Sequence, residues 1–512
     1  MALSVRLAGY NLDADLLAEV IDLLTRLEQG ATDLEGSGFQ PADCKQLVIT
    51  LAEAARTRLD LGSFTPETLS AAYARISRDP KQVTELRRAA RFGVARARKS
   101  NENIIFGLGH ASVAEHACFN FDVLGLSRLA SEELQSHRLL SFTEKSQRYI
   151  TLTTDYVVPP EVVGTEFEAL FHETVPRLFE SYKGLCDALV QRYTGGVETA
   201  KEELREAETR AKEDARYLLP LACTTQMGMT VNARMIEHVV KDLSDHPLQE
   251  LRDLGRNLFD AVRGLSPSVV KYVVRDTYPR ENRQALTRMF AQKSTNEGKA
   301  TTDHPTVKLV ATTPDGEALV LKALAFAAGK ADAFSDMNAA SSIWKEIFRG
   351  MGEHDGAPRE FELAALTFEA EISASCFAQL KRHRMMTLLA QPYAIESGVI
   401  IPPSLREAGL EDSFEEAVMI SRDAAAKLFA QSPLLGPYFL TNAQRRRVVI
   451  HINAREFYHF VRLRTDSHAQ WEIRSLAEQM LGLARAQWPN LCLLACGKDR
   501  FEEVYRGVFP ES

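Results

Sequence analysis

Between residues 118 and 125 the stretch CFNFDVLG alternates apolar and polar positions, and LTFEAEIS repeats the pattern at 366–373. Successive side chains of a strand point to opposite faces, so a period of two predicts a half-buried strand in each place. Both stretches lead into a helical segment that ends on a His-Arg pair, His137-Arg138 and His383-Arg384. Residues 231–254 and 452–476 carry apolar side chains at helical spacing, and EAETRAKEDARYLL at 206–219 reads as a helix with one charged face. The fold class expected is α+β, mixed and helix-rich.

The two halves match in order. SHRLLSFTEKSQRY (136–149) is echoed by RHRMMTLLAQPY (382–393), YVVPPEV (156–162) by VIIPPSL (399–405), and VNARMIEHVVKDLSDHPLQELRDL (231–254) by INAREFYHFVRLRTDSHAQWEIRSL (452–476). The openings also correspond: SFTPETLSAAYARIS (63–77) and VATTPDGEALVLKALAF (310–326) both read as strand end, turn and amphipathic helix. These matches predict a tandem duplication with a first unit at 1–290, a polar linker at 291–305 and a second unit at 306–512.

Composition excludes several classes. The chain has 512 residues, 45% hydrophobic and 25% charged, with no run long and apolar enough for a membrane helix. Its opening residues do not read as a signal peptide, and a cytoplasmic location is expected. The seven cysteines are scattered and odd in number, which suits reduced thiols, and Cys492 with Cys496 has no second pair to make a metal site. A net charge of −8 argues against general nucleic-acid binding and leaves room for a local cationic pocket.

Such a pocket is suggested by Arg138, Ser146 and Arg148, since guanidinium forks and a hydroxyl suit phosphate oxygens. A second cluster, Asn453, Arg455, His459, Arg462, Arg464 and His468, lies on a helix otherwise rich in Phe, Tyr, Val and Leu. Helical spacing puts Arg455, His459 and Arg462 near one face, with Arg464 and His468 on an adjoining strip. Solvated charges and partly buried ion pairs are the alternatives. Arg445 to Arg447, beside the apolar VVIHI, read as a solvated strand end.

The motif H-R-x7-S-x-R-Y, here His137, Arg138, Ser146, Arg148 and Tyr149, resembles the signature of flavin-dependent thymidylate synthases. GHASVAEHACFNF (109–121), ARYLLPLA (215–222), NARMIEH and FVRLRTDSHAQWEIR (460–474) are similar to that family's other blocks. The resemblance implies a homotetrameric family of α/β fold with sites where subunits meet. It also implies an FAD cofactor, NADPH as reductant, and methylene transfer from methylenetetrahydrofolate to C5 of dUMP without a cysteine nucleophile. Carried over by position, it assigns Glu144, Ser146, Gln147, Arg148, Arg216, Gln379, Arg382 and Arg464 to the nucleotide, with Arg464, Ser146 and Arg148 as the catalytic set. It assigns His116, His137, Arg138, Asn232, Arg234, His383, Arg384, Asn453, Arg455, His459 and His468 to the flavin, and no metal.

Each half departs from the pattern where the other keeps it. Ser136, Glu133 and Leu243 stand in the first unit at the places of Arg382, Gln379 and Arg464. In the second unit Leu363 and Pro437 replace the counterparts of His116 and Arg216, and 387–393 has neither the Ser nor the Arg of the first motif. His238 and His459 stand where the family has asparagine. Complementary losses predict composite pockets built from both halves, two in a homodimer that mimics the family's tetramer; decay of both halves is the alternative. A related enzyme acting on another uracil nucleotide, and a flavin- or nucleotide-binding protein without turnover, are the competing functions.

Overall fold

The computed structural model describes residues 2–18, 20–22, 25, 64–196, 200–271, 278–291, 303–330 and 340–510. It contains two four-stranded antiparallel sheets with the same strand order. The first runs β1-β2-β4-β3, with β1 at Ser4–Tyr10, β2 at Cys118–Ser127, β3 at Ser141–Glu144 and β4 at Thr224–Asn232. The second runs β5-β6-β8-β7, with β5 at Thr306–Thr312, β6 at Ala365–Ser373, β7 at Thr387–Ala390 and β8 at Arg445–Asn453. The period-two stretches are the central strands β2 and β6, and their alternate side chains are buried as the pattern requires.

The helices repeat in parallel. The first unit has α1 (Glu67–Arg75), α2 (Arg128–Leu134), α3 (Glu166–Thr194), α4 (Lys201–Ala215), α5 (Ala233–Ser244) and α6 (Gln249–Arg263). The second has α7 (Gly316–Ala327), α8 (Ala374–Leu380), α9 (Glu411–Gln431), α10 (Ala454–Arg464) and α11 (Trp471–Gln487). Equivalent side chains cap equivalent helices. Ser127 and Ser373 accept from the backbone N–H three residues on at the starts of α2 and α8, and Asn232 and Asn453 do so for α5 and α10. The second unit has no counterpart of α4 among the described residues: Gly436–Tyr438 follows α9 almost directly, which is why Pro437 stands where the first unit has Arg216.

Two expectations need correction. The opening of the first unit is not a strand end at residue 64; an edge strand of its sheet comes from residues 4–10, far upstream of α1. Both edge strands slip by one residue at equivalent places, between Leu7 and Gly9 and between Leu309 and Ala311, which confirms that β1 corresponds to β5. Nor are Arg445 to Arg447 a solvated strand end. Arg445 is buried against Glu371, and Arg446 is buried against Glu132 of the other unit with its guanidinium over Phe377 and Tyr393, so only Arg447 reaches solvent. The strand edge abuts the other unit, and sequence pattern alone does not reveal that neighbour. Most of the expected linker, and Cys44, lie outside the described residues.

The two units interlock by a local two-fold arrangement. Segments 217–222 and 438–443 cross antiparallel about the Pro220–Thr441 bridge. Leu221 N–H donates to the Leu440 carbonyl at 2.8 Å and Asn442 N–H to the Leu219 carbonyl at 2.9 Å; Ala222 donates to Tyr438 and Ala443 to Tyr217, both at 2.9 Å. Side chains repeat the exchange. The Tyr438 hydroxyl donates to Glu250 at 2.6 Å, and Glu250 also accepts from Ser127 N–H and Oγ. The Tyr217 hydroxyl donates to Glu472 at 2.5 Å, and Glu472 accepts likewise from Ser373. Both carboxylates are buried, 3% and 0% exposed, so each needs its donors. Helices α3 and α9 pack across the same boundary, with Phe171 stacked on Phe439 at 4.1 Å, and one continuous apolar core runs through the crossing.

Removing one donor from a buried carboxylate should cost about 1.5–3 kcal/mol. Tyr217→Phe and Tyr438→Phe are therefore each expected to lower stability by about that amount in urea titrations. A loss below about 0.5 kcal/mol in both, the range of ordinary surface substitutions, would contradict the interlock.

Candidate functional site

The crossing places the loop after β3 opposite the ends of α8 and α10. In that loop the Arg148 N–H donates to Ser146 Oγ at 3.1 Å, forming a tight turn. Arg148 is ion-paired with Glu213, and its Nη2 lies 3.5 Å from the carbonyl of His468 in the second unit. Glu213 and Arg216 sit one turn apart at the end of α4, and Arg216 Nε donates to the Glu213 carbonyl at 3.1 Å. Asn442, again from the second unit, uses Nδ2 to hold both Gln147 Oε1 at 3.1 Å and the Arg216 carbonyl at 3.0 Å.

The second unit supplies the opposite wall. Arg464, the last residue of α10, donates from Nε to His383 Nε2 at 2.8 Å and from Nη2 to the Gln379 carbonyl at 3.4 Å. Gln379 Nε2 reaches Gln470 at 3.3 Å, and Gln470 donates in turn to Tyr217 of the first unit. Burial pushes the Arg464 pKa down to about 10, and the like charges of Arg382 and Arg148 push in the same direction. Burial also lowers Arg216, with Arg148 adding to the effect. Arg148, Arg216, Arg382 and Arg464 thus form one cationic cluster drawn from both ends of a single chain.

Three buried donors of this lining have no partner among the described residues: Gln147 Nε2, Arg148 Nε and Arg216 Nη2. Orphaned buried donors are costly, and here they coincide with crowded positive charge. The chemistry they call for is an anion rich in acceptor oxygens. Cys376 lies near Arg216 and Arg464, but burial and then Glu472 raise its pKa well above the ordinary thiol value, which disfavours the thiolate. Among the described residues no cluster of side chains could hold a metal ion.

The remaining expected residues are distributed unevenly. Glu144 lies under the loop, ion-paired with Arg128 and accepting from Gln135 at 3.0 Å and Thr225 at 2.9 Å. Although burial opposes it, the Arg128 charge holds its carboxyl at about 2. Arg138 and Arg384 are exposed and adjacent, Arg138 Nη2 reaching Thr387 Oγ1 at 3.0 Å and Arg384 Nη1 approaching the Arg138 carbonyl at 3.4 Å. His116 is exposed and meets Tyr73 edge-on at 4.6 Å. Arg234 pairs with Glu115, and Arg455 with Glu362. The α10 cluster divides: Arg462 turns inward to the carbonyls of Gly352 and Asp355 under Phe501, His459 is exposed, and His468 falls beyond the helix, 2.8 Å from Asp466. Of that cluster, Arg464 lines the pocket.

Sequence reasoning missed Glu213 and Asn442. Glu213 carries a faint signal, one helical turn before Arg216; Asn442 carries none, because its role exists only across the crossing.

The two-fold counterpart of this pocket is closed. There Tyr393 donates to Glu132 at 3.0 Å, Arg446 reaches Glu132 at 2.8 Å and the Gln391 carbonyl at 2.8 Å, and Leu243 replaces the arginine. Lys381 is buried beside this network, and burial lowers its amine to about 8.

A duplicated α+β protein is thereby defined, with arginines of both units gathered beside the crossing. The family model described as thymidylate synthase complementing protein matches residues 61–268 and 308–490, and the chain belongs to that family as a tandem pair of its units. Membership makes it a thymidylate-synthase-like enzyme. A flavin-dependent thymidylate synthase of Clostridium tetani is 31% identical over 212 residues, 40% of this chain and 82% of that one. A UPF0159 protein of Thermoplasma acidophilum is 22% identical over 474 residues, 83% of this chain and 93% of the other, so both units are matched together. A solved UMP/dUMP methylase of Streptomyces cacaoi bound with 5-Br dUMP aligns over 39% of this chain and 99% of its own, with 20% identity and a TM-score of 0.35. No described helix is long and apolar enough to cross a membrane.

Arg128→Met would leave Glu144 buried without its main cation, at an expected cost of about 3–5 kcal/mol at pH 7. Because the folded carboxyl sits at about 2, below its ordinary 4.5, its stabilisation is complete above pH 4.5 and lost as pH falls toward 2. The gap between variant and wild type in denaturant titrations should therefore narrow across that window. A gap independent of pH would contradict the pairing.

Proposed function

We propose that the chain methylates C5 of dUMP to give dTMP, with methylenetetrahydrofolate as one-carbon donor, NADPH as reductant and bound FAD, in one composite pocket per chain. The observation that carries this reading is the meeting of Arg148 and Arg216 with Arg382 and Arg464 around three unmatched buried donors. Arg148, Arg216, Ser146 and Gln147 would take the phosphate and sugar, so that binding a remote group holds C5 in place. Arg464 would face a ring carbonyl and stabilise the negative charge that develops on the uracil when C5 acts as nucleophile. Gln379 and Arg382 complete that wall.

The exposed forks of Arg138 and Arg384, side by side at the unit boundary, fit the pyrophosphate of a dinucleotide. A bound flavin would supply the hydride and one-carbon chemistry. Two chains pairing would carry four units and two such pockets.

Purified protein should carry flavin that NADPH reduces and that methylenetetrahydrofolate plus dUMP reoxidises with formation of dTMP. Saturation is expected near one dUMP per chain, and UMP in the same assay tests the sugar preference. Two nucleotides per chain, or no flavin, would overturn the reading. Arg464→Lys keeps the charge and loses the planar fork, so kcat should fall about a hundredfold or more while dUMP affinity changes little. Normal turnover in that variant would remove Arg464 from the chemistry.

A further inference from the structure

Arg464 Nε donates to His383 Nε2 at 2.8 Å. A guanidinium has only donors, so His383 Nε2 must present a lone pair. Its single proton then sits on Nδ1, which faces Glu456 Oε1 at 3.7 Å. The ring is confined by Phe460, edge-on at 5.0 Å, and by His459 at 5.9 Å. Nε2 of His383 is thus engaged within the protein, and Nδ1 faces a carboxylate.

The duplication supplies an internal control. His137 occupies the same place in the first unit, where Leu243 replaces the arginine. There Nδ1 lies 3.1 Å from the Leu134 carbonyl and Nε2 lies 3.2 Å from Asp242, so both nitrogens face acceptors and the ring suits the imidazolium form. The equivalent histidines thus face opposite hydrogen-bonding demands, two acceptors at His137 and a donor at His383 Nε2.

We propose that His383 is a positioning residue: with its proton on Nδ1, it accepts from Arg464 Nε and fixes the plane in which the guanidinium meets the uracil ring. The proposal rests on the role given to Arg464 above. The Gln379 carbonyl at Nη2 is the second anchor, and two anchors on one planar fork determine its orientation.

A pH dependence follows. The groups facing His383 are Glu456, His459 and Arg464 on α10, with Arg382 and Arg384 flanking it in its own segment. Burial keeps its pKa below the ordinary histidine value; Glu456 opposes this, while Arg464 and His459 reinforce it. The accepting, neutral form therefore persists through pH 7 and is lost only on the acid side, where an added Nε2 proton would confront the Arg464 N–H.

The test compares His383→Gln, whose amide oxygen can accept at any pH, with His383→Leu, which cannot accept. Wild type should show an acid limb in kcat below about pH 6.5, and His383→Gln should retain flavin and lose that limb. His383→Leu should lose roughly a hundredfold in kcat with little change in KM for dUMP. Independently of turnover, the Arg464 Nε–H resonance, assigned by its loss in Arg464→Lys, should be protected from solvent exchange in wild type and His383→Gln and exchange freely in His383→Leu. That signal decides the relay even if the protein makes no dTMP. An unchanged acid limb in His383→Gln, loss of flavin from that variant, or protection that survives in His383→Leu would each overturn the proposal.

Discussion

The site depends on the antiparallel crossing of 217–222 with 438–443. Four backbone hydrogen bonds and two Tyr–Glu contacts exchange partners about the Pro220–Thr441 bridge, and neither unit can satisfy these groups alone. Arg216 precedes one crossing segment directly and Asn442 lies within the other, so the lock that joins the units also positions the floor of the pocket. The charge cluster above it is unfavourable in itself. The crossing beneath it is held by neutral backbone bonds and by a shared apolar core.

Two-fold symmetry would generate two pockets, and specific changes remove one. The first unit alone, among the described residues, inserts α4, which delivers Glu213 and Arg216. At the related position the second unit turns directly from α9 into Gly436–Tyr438, and its β7 loop is fastened to α2 through Tyr393, Glu132 and Arg446. The arginine-lined side has a buried ion network as its two-fold counterpart. On that side the losses are accompanied by side chains that fill the space, Tyr393 and Arg446 against Glu132.

Much of the fold was legible in the sequence. Alternation in CFNFDVLG and LTFEAEIS located the central strands, and the repeated Asn-Ala-Arg blocks located the capped helices α5 and α10. The first edge strand was misplaced because over fifty residues separate β1 from α1, so the repeat is broken where the second unit is continuous. The site was partly legible. Arg148 and Arg464 carried motif signals, whereas Arg446 looked like a surface residue because its burial depends on Glu132, more than three hundred positions away. Asn442 and the His383–Arg464 bond exist only in three dimensions.

The central claim is that Arg148 and Arg464 of the same chain line one pocket, and mixing two inactive variants tests it directly. Arg148→Ala and Arg464→Ala, co-expressed so that chains can pair, should bind no more dUMP than either variant alone, since every pocket would lack one arginine. Recovery of high-affinity sites in the mixture, absent from each variant by itself, would show that the pocket forms between chains and would contradict the account.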